Sequence, residues 1–161
     1  MRIPVIRRLA LIMLGLTGTV STGVAQNVQE STLNRVVMDA YAQMLAENPR
    51  DYEVYLRRAN EYYRHNDYTR ALSDINKSIE YTPASDKDIL FQEHVLRAGI
   101  YEMGHRYSNA LSDLNTALTL NPTSYQTICQ RANVELELGM YREAKQDYTR
   151  LQRYNPRSTE A

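Results

Sequence analysis

Three arginine–aspartate pairs at one spacing are the most chemically directed residues of this chain. Arg58, Arg97 and Arg131 each precede an aspartate by 16 residues: Asp74, Asp113 and Asp147. The planar arginine fork can hold a carboxylate at two points, so each pair is expected to tie one helix to the next as a structural ion pair. The alternative is three free arginines binding an acidic ligand. The histidines offer less. Glu61 and His65 lie one helical turn apart, but two ligands do not make a metal site. His94 falls at a packing position, and His105 follows Gly104 in a turn. Cys129 is the only cysteine, has no neighbouring histidine in sequence, and cannot form an internal disulfide. No glycine-rich phosphate loop is present. No catalytic residue, metal site or cofactor is expected, and the chain reads as a binding protein rather than an enzyme.

The pairs belong to a larger repetition. Arg58-Ala59, Arg97-Ala98 and Arg131-Ala132 each come a fixed distance before a second cluster. Those clusters are Tyr68-x-x-Ala71-x-x-Asp74, Tyr107-x-x-Ala110-x-x-Asp113 and Tyr141-x-x-Ala144-x-x-Asp147, and each unit closes on Pro83, Pro122 or Pro156. The landmarks step by 39 residues and then by 34. A period near 34 predicts stacked helical hairpins, since one unit cannot bury its apolar face alone. The expected domain spans 50–156, with units at 52–83, 91–122 and 125–156.

Capping residues and breakers mark the helices. Asp51 is a candidate N-cap for a helix ending near Arg64, with Tyr55, Ala59 and Tyr62 facing inward. His65-Asn66-Asp67 makes a turn, and Tyr68–Tyr81 is the partner helix. Five extra residues, Ala84–Asp88, precede the second unit. Ser85 and Asp88 resemble a capping box, so the insertion is expected to lengthen the next helix, from about Asp86 to Met103. Gly104 and Gly139 supply the remaining turns. The last two helices are expected from near Ser124 and up to Tyr154-Asn155-Pro156. Before the units, Leu33–Ala46 has apolar residues at three- and four-residue intervals, an amphipathic helix standing as a half-repeat over the first unit. Residues 26–34 are expected to be a flexible linker, and 157–161 a tail. The count is about seven helices after the N-terminal segment.

That N-terminal segment is of another kind. Arg2, Arg7 and Arg8 precede the apolar run Leu9–Leu16, and small residues lead to Gly23-Val24-Ala25. This is the layout of a secretory signal peptide over 1–25, cleaved after Ala25. The apolar run is short of the roughly 20 residues a membrane span needs, so no stable span is expected after cleavage. The protein is then exported, periplasmic or secreted. Without residues 1–25, 16 basic residues face 19 acidic ones, a net charge of −3. Nucleic acid is therefore disfavoured as a partner.

These residues resemble the tetratricopeptide repeat family. The first unit supplies Tyr55, Ala59, Tyr62, Ala71, Ile75 and Pro83. The second supplies His94, Ala98, Tyr101, Ala110, Leu114, Ala117 and Pro122, and the third Ile128, Ala132, Ala144, Tyr148 and Pro156. His94, Glu135, Ser78 and Leu151 depart from the pattern. The resemblance implies an all-α, right-handed α-solenoid whose first helices line a concave groove for a protein or peptide partner. By that resemblance the groove is lined by Glu53, Leu56, Asn60, Tyr63 and Arg64 in the first unit, and by Gln92, Val95, Gly99, Glu102 and Met103 in the second. Gln126, Cys129, Asn133, Leu136 and Glu137 follow in the third. The family's carboxylate clamp needs lysine near Leu56 and Cys129, and neither is basic. Asn60 and Asn133 offer a donor and an acceptor suited to a peptide backbone.

Two roles follow. One is an exported scaffold that binds a partner in its groove within a cell-envelope assembly. The other is a structural module that self-associates through its last helix, where Tyr141, Ala144, Lys145, Tyr148 and Leu151 are expected to lie partly uncovered.

Overall fold

The computed structural model describes residues 24–154, with side chains for 34–153. The expected signal segment up to residue 23, Pro156 and the 157–161 tail lie outside the described residues. The described residues form seven helices and no strand: α1 Val24–Glu47, α2 Tyr52–Arg64, α3 Tyr68–Tyr81, α4 Lys87–Met103, α5 Tyr107–Leu120, α6 Tyr125–Glu137 and α7 Tyr141–Tyr154. They fall into two compact units, Met1–Pro49 and Arg50–Ala161.

In the first unit, α1 corrects the linker expectation. Residues 26–34 are helical, continuous with the amphipathic stretch. Neither proline nor glycine occurs between Val24 and Glu47, so nothing stops the helix from propagating toward its N-terminus.

In the second unit, α2 packs on α3, α4 on α5 and α6 on α7, and each hairpin stacks on the next through α3–α4 and α5–α6. Local chemistry sets the ends. Asp51 accepts a hydrogen bond from the Val54 amide at 3.1 Å. Asp67 accepts from the Arg70 amide at 3.0 Å, and Ser124 from the Thr127 amide at 3.4 Å. Each satisfies a helix-terminal donor. Ala59, Ala71, Ala98, Ala110, Ala132 and Ala144 are all fully buried. A larger side chain there would overpack the helix contacts at a cost of about 1–3 kcal/mol. Ile75, Leu114 and Ile128 fill the space between them, and half-buried Tyr62, Tyr63, Tyr68, Tyr101 and Tyr107 close the edges.

One local expectation changes and two gain detail. The Ser85–Asp88 capping box does not form. Asp86 sits at the N-cap without a side-chain cap bond, because its carboxylate accepts instead from the Tyr52 hydroxyl at 2.8 Å. That bond ties the insertion to α2, and α4 gains four residues over α2 and α6. Second, the turn expected at Gly104 forms, and its left-handed residue is His105 (φ 54°). Asn66 (φ 61°) and Gly139 (φ 73°) hold the same place in the other units. Hydrogen bonds fix the loop: the Arg106 amide reaches the Tyr101 carbonyl at 2.8 Å, as the Asp67 amide reaches Tyr62. Third, the α7 stripe is partly uncovered, at Tyr141 and Lys145, but its remaining members are packed. Ala144 and Leu151 are buried and Tyr148 is half-buried, packed with Leu118, Ile128 and Cys129. Only Tyr141 and Lys145 of that stripe are exposed.

Candidate functional site

The three arginine–aspartate pairs are closed. Arg58 grips Asp74 through Nε and Nη2 at 2.6 and 2.9 Å. Arg97 grips Asp113 at 2.8 and 2.7 Å, and Arg131 grips Asp147 at 2.7 and 2.8 Å. The remaining Nη1 of Arg97 donates to Asn76, and that of Arg131 to Asn115, both at 2.9 Å. These heads are thus engaged in holding the array. His94, expected only to pack, brings Nδ1 to 2.8 Å from Asp113 Oδ1. Burial drives the Asp113 carboxyl upward, but the hydrogen bonds from Arg97 and His94 outweigh it and hold it below the usual aspartate range.

A second buried polar group joins the first two hairpins. Glu93 on α4 is fully buried, in the place that Val54 and Thr127 occupy in the other units. Its Oε1 lies 2.5 Å from Ser78 Oγ and 2.6 Å from Thr82 Oγ1, while Oε2 has no partner. Burial holds the Glu93 carboxyl above the ordinary glutamate range, against the pull of both hydroxyls. Glu135 takes the place of a first-helix tyrosine and is buried beside Arg131 at 3.8 Å. Burial raises its carboxyl as well, with the Asp147 charge adding to the effect.

The open site lies on the first helices. Leu56, Asn60, Tyr63, Gln92, Val95 and Gly99 line a cleft of about 390 Å³, together with Phe91, Leu96 and Gln130. Gly99 is explained by a close approach: a methyl there would sit 3.3 Å from the Tyr63 hydroxyl and 4.0 Å from Gln130 Nε2. Glu102 stands beside this point, accepting from Gln130 Nε2 at 2.6 Å. Burial raises the Glu102 carboxyl, opposed by the Gln130 bond. Leu56 is mostly core, with only 8% of its surface open.

The other expected groove residues do not line this cleft. Glu53 pairs with Arg57 at 2.8 Å and Arg64 with Glu61 at 3.5 Å, both on exposed helix faces. Cys129 turns toward Leu118, Ile128 and Leu151. Met103, Gln126, Leu136 and Glu137 are exposed outside it. The asparagines are partly engaged: Asn60 Nδ2 donates to the Leu56 carbonyl at 3.0 Å, and Asn133 Oδ1 accepts from the Tyr148 hydroxyl at 2.5 Å. Phe91, Leu96 and Gln130 were the residues missed. Phe91 continues an aromatic column with Tyr52 and Tyr125 at the 39- and 34-residue steps. Gln130 occupies a place that differs in every unit, where Arg57 and Leu96 are its counterparts.

The end of the stack is a cationic face. Arg142, Lys145 and Arg153 are exposed along α7 beside Gln146 and Thr149, while Arg150 donates back to the Pro122 carbonyl at 2.5 Å. Among the described residues no group of three or more His, Cys, Asp and Glu side chains could hold a metal ion. No described helix is long and apolar enough to cross a membrane.

Stacked helical hairpins with a cleft along their first helices define an α-solenoid, a class that holds partners on its surface. The chain carries tetratricopeptide repeats: the family signature described as tetratricopeptide repeat matches residues 52–85 and 125–158, flanking the middle unit. Solved structures share the fold. The first tetratricopeptide domain of Spaghetti (RPAP3), bound to HSP90 peptide SRMEEVD, is 24% identical, with 67% of this chain and 82% of that one covered and a TM-score of 0.57. MamA is 15% identical over 86% of this chain and 77% of its own, with a TM-score of 0.68. YrrB, described as having an unusual peptide-binding site, is 20% identical over 73% and 58%, with a TM-score of 0.62. No curated protein is detectably similar in sequence.

Proposed function

We propose that this protein is an exported, non-enzymatic scaffold that holds an extended segment of a protein partner in the cleft of its first helices, within a cell-envelope assembly. The cleft carries the reading. It spans α2, α4 and α6, its walls are Leu56, Phe91, Val95 and Leu96, and amide and hydroxyl groups stand at its margin. Apolar walls with a few placed polar groups suit a peptide side chain and its flanking backbone. That a fold neighbour holds a peptide supports the same use here. The acidic sequence of that peptide does not transfer, since no lysine or arginine lines this cleft. Export rests on the basic, apolar and small-residue order of residues 1–25.

Site-specific photocrosslinking tests the location. A benzophenone side chain at Val95, in the cleft, should capture a partner from an envelope extract, whereas one at Gln146 on α7 should not. Capture from Gln146 alone would move the binding surface to the cationic end. N-terminal sequencing of the exported chain should begin at Gln26.

A further inference from the structure

We propose that the cleft selects a segment bearing a lysine or arginine, whose cationic head pairs with Glu102 while a neighbouring apolar residue sits against Phe91 and Val95. The inference rests on the peptide-binding reading above and names the ligand chemistry.

The polar margin of the cleft is one-sided in charge. Glu102 is half-buried, and its resolved hydrogen bond comes from the neutral amide of Gln130. No arginine, lysine or histidine forms an ion pair with it among the described residues. A carboxylate withdrawn from water and left without a counter-charge is costly, and a ligand cation would relieve that cost. Its surroundings fit such a head group. The Tyr63 hydroxyl has no hydrogen-bond partner among the described residues and lies over the same glycine as Gln130. Burial raises the Tyr63 phenol and the Glu102 charge adds to it; Tyr107 is raised by burial and by Glu137 first, with Glu102 a smaller contribution. Electron-rich rings beside a carboxylate favour a cation a second time, through their faces.

Contrast within the chain sharpens the point. The unit-internal carboxylates Asp74, Asp113 and Asp147 each have an arginine fork, and exposed Glu53 and half-buried Glu61 have basic helix neighbours. Glu102 stands beside this cleft, hydrogen-bonded to its lining residue Gln130, and has neither. The cleft thus offers a negative pole and an apolar wall side by side. An acidic segment would bring like charges together there.

The test selects peptides from a random nonapeptide display library on the immobilised chain and on Glu102→Gln, which keeps a side-chain acceptor for Gln130. Wild-type protein should enrich one basic position beside an apolar one. In titrations of a selected peptide, replacing its basic residue by glutamine should weaken binding about tenfold. In Glu102→Gln that difference should vanish. Binders without a basic preference, or a preference that survives Glu102→Gln, would overturn this inference and leave peptide binding standing. No binders from any library would overturn both.

Discussion

Arg97 on α4 donates to Asn76 on α3 at 2.9 Å while its other two nitrogens hold Asp113 on α5. One guanidinium therefore joins three helices from two units. Arg131 repeats the arrangement with Asn115 and Asp147. Tetratricopeptide stacks gain stability from each unit and each interface, and this arginine contributes to both.

Removing the interface half of that bond should uncouple the last unit. Asn115→Ala is expected to cost about 1 kcal/mol, because the contact is exposed and charge-assisted. Native-state hydrogen exchange should quicken in α6 and α7 and stay unchanged in α2 and α3. Uniform quickening would mean that the bond does not act at the interface.

The first pair is suited to a charge exchange, since Arg58 makes no comparable asparagine bond. Arg58→Asp alone places two carboxylates together, and Asp74→Arg alone two cations. Asp74 is 4% exposed, so either reversal should cost about 3 kcal/mol or more. The double variant should recover at least half of that in urea denaturation. No recovery would mean that the residues act separately.

Glu93 should give the stability a pH dependence opposite to that of Asp113. Folding raises the Glu93 pKa, so above the ordinary glutamate value the unfolded chain releases a proton that the folded chain retains. Its contribution is complete at low pH and is lost as pH rises through the folded value. Asp113 is depressed by folding, so its contribution is present above the ordinary aspartate value and is lost as pH falls through the folded one. Glu93→Gln should equal wild type below the ordinary glutamate value and exceed it increasingly as pH rises above that value. A wild-type profile unchanged by the substitution would show that Glu93 ionises freely.

The left-handed turns allow a paired test. Gly139 has φ 73° and nothing within 4 Å of where a Cβ would stand, so Gly139→Ala should destabilise by about 1 kcal/mol from backbone strain alone. His105 already bears that strain at φ 54°. His105→Gly should gain somewhat less than about 1 kcal/mol, because it forfeits the 3.0 Å contact with the Tyr107 hydroxyl. Thermal melts of both variants measure the difference.

The helices from Tyr52 onward were legible because their determinants are local. Asp51, Asp67 and Ser124 cap them, Pro83 and Pro122 follow their ends, and the alanines repeat where backbones meet. Glu93 was not legible. In sequence it reads as one more helical acid, because Ser78 and Thr82 meet it only when two units stack. The same reason hid Asn76 and Asn115. The turn at Gly104 was legible, but that His105 is its left-handed residue was not, because the loop hydrogen bonds decide which residue takes that place. In the cleft, Leu56, Asn60, Tyr63, Gln92, Val95 and Gly99 followed from the family resemblance. Phe91 was passed over because it belongs to a column common to all units. Cys129 was misplaced because its small side chain packs inward between α6 and α7.

A repeat array offers nearly equivalent places one after another, so an extended guest can slide by a whole unit and bind almost as well. In the proposed binding mode the four added residues of α4 would break that equivalence. They extend one helix by about 6 Å, roughly two residues of extended chain, and the Tyr52–Asp86 bond holds the extension in place. The lengthened middle unit breaks the translational symmetry of the array, and under the proposed peptide-binding mode it would give a bound chain a fixed origin from which to be read.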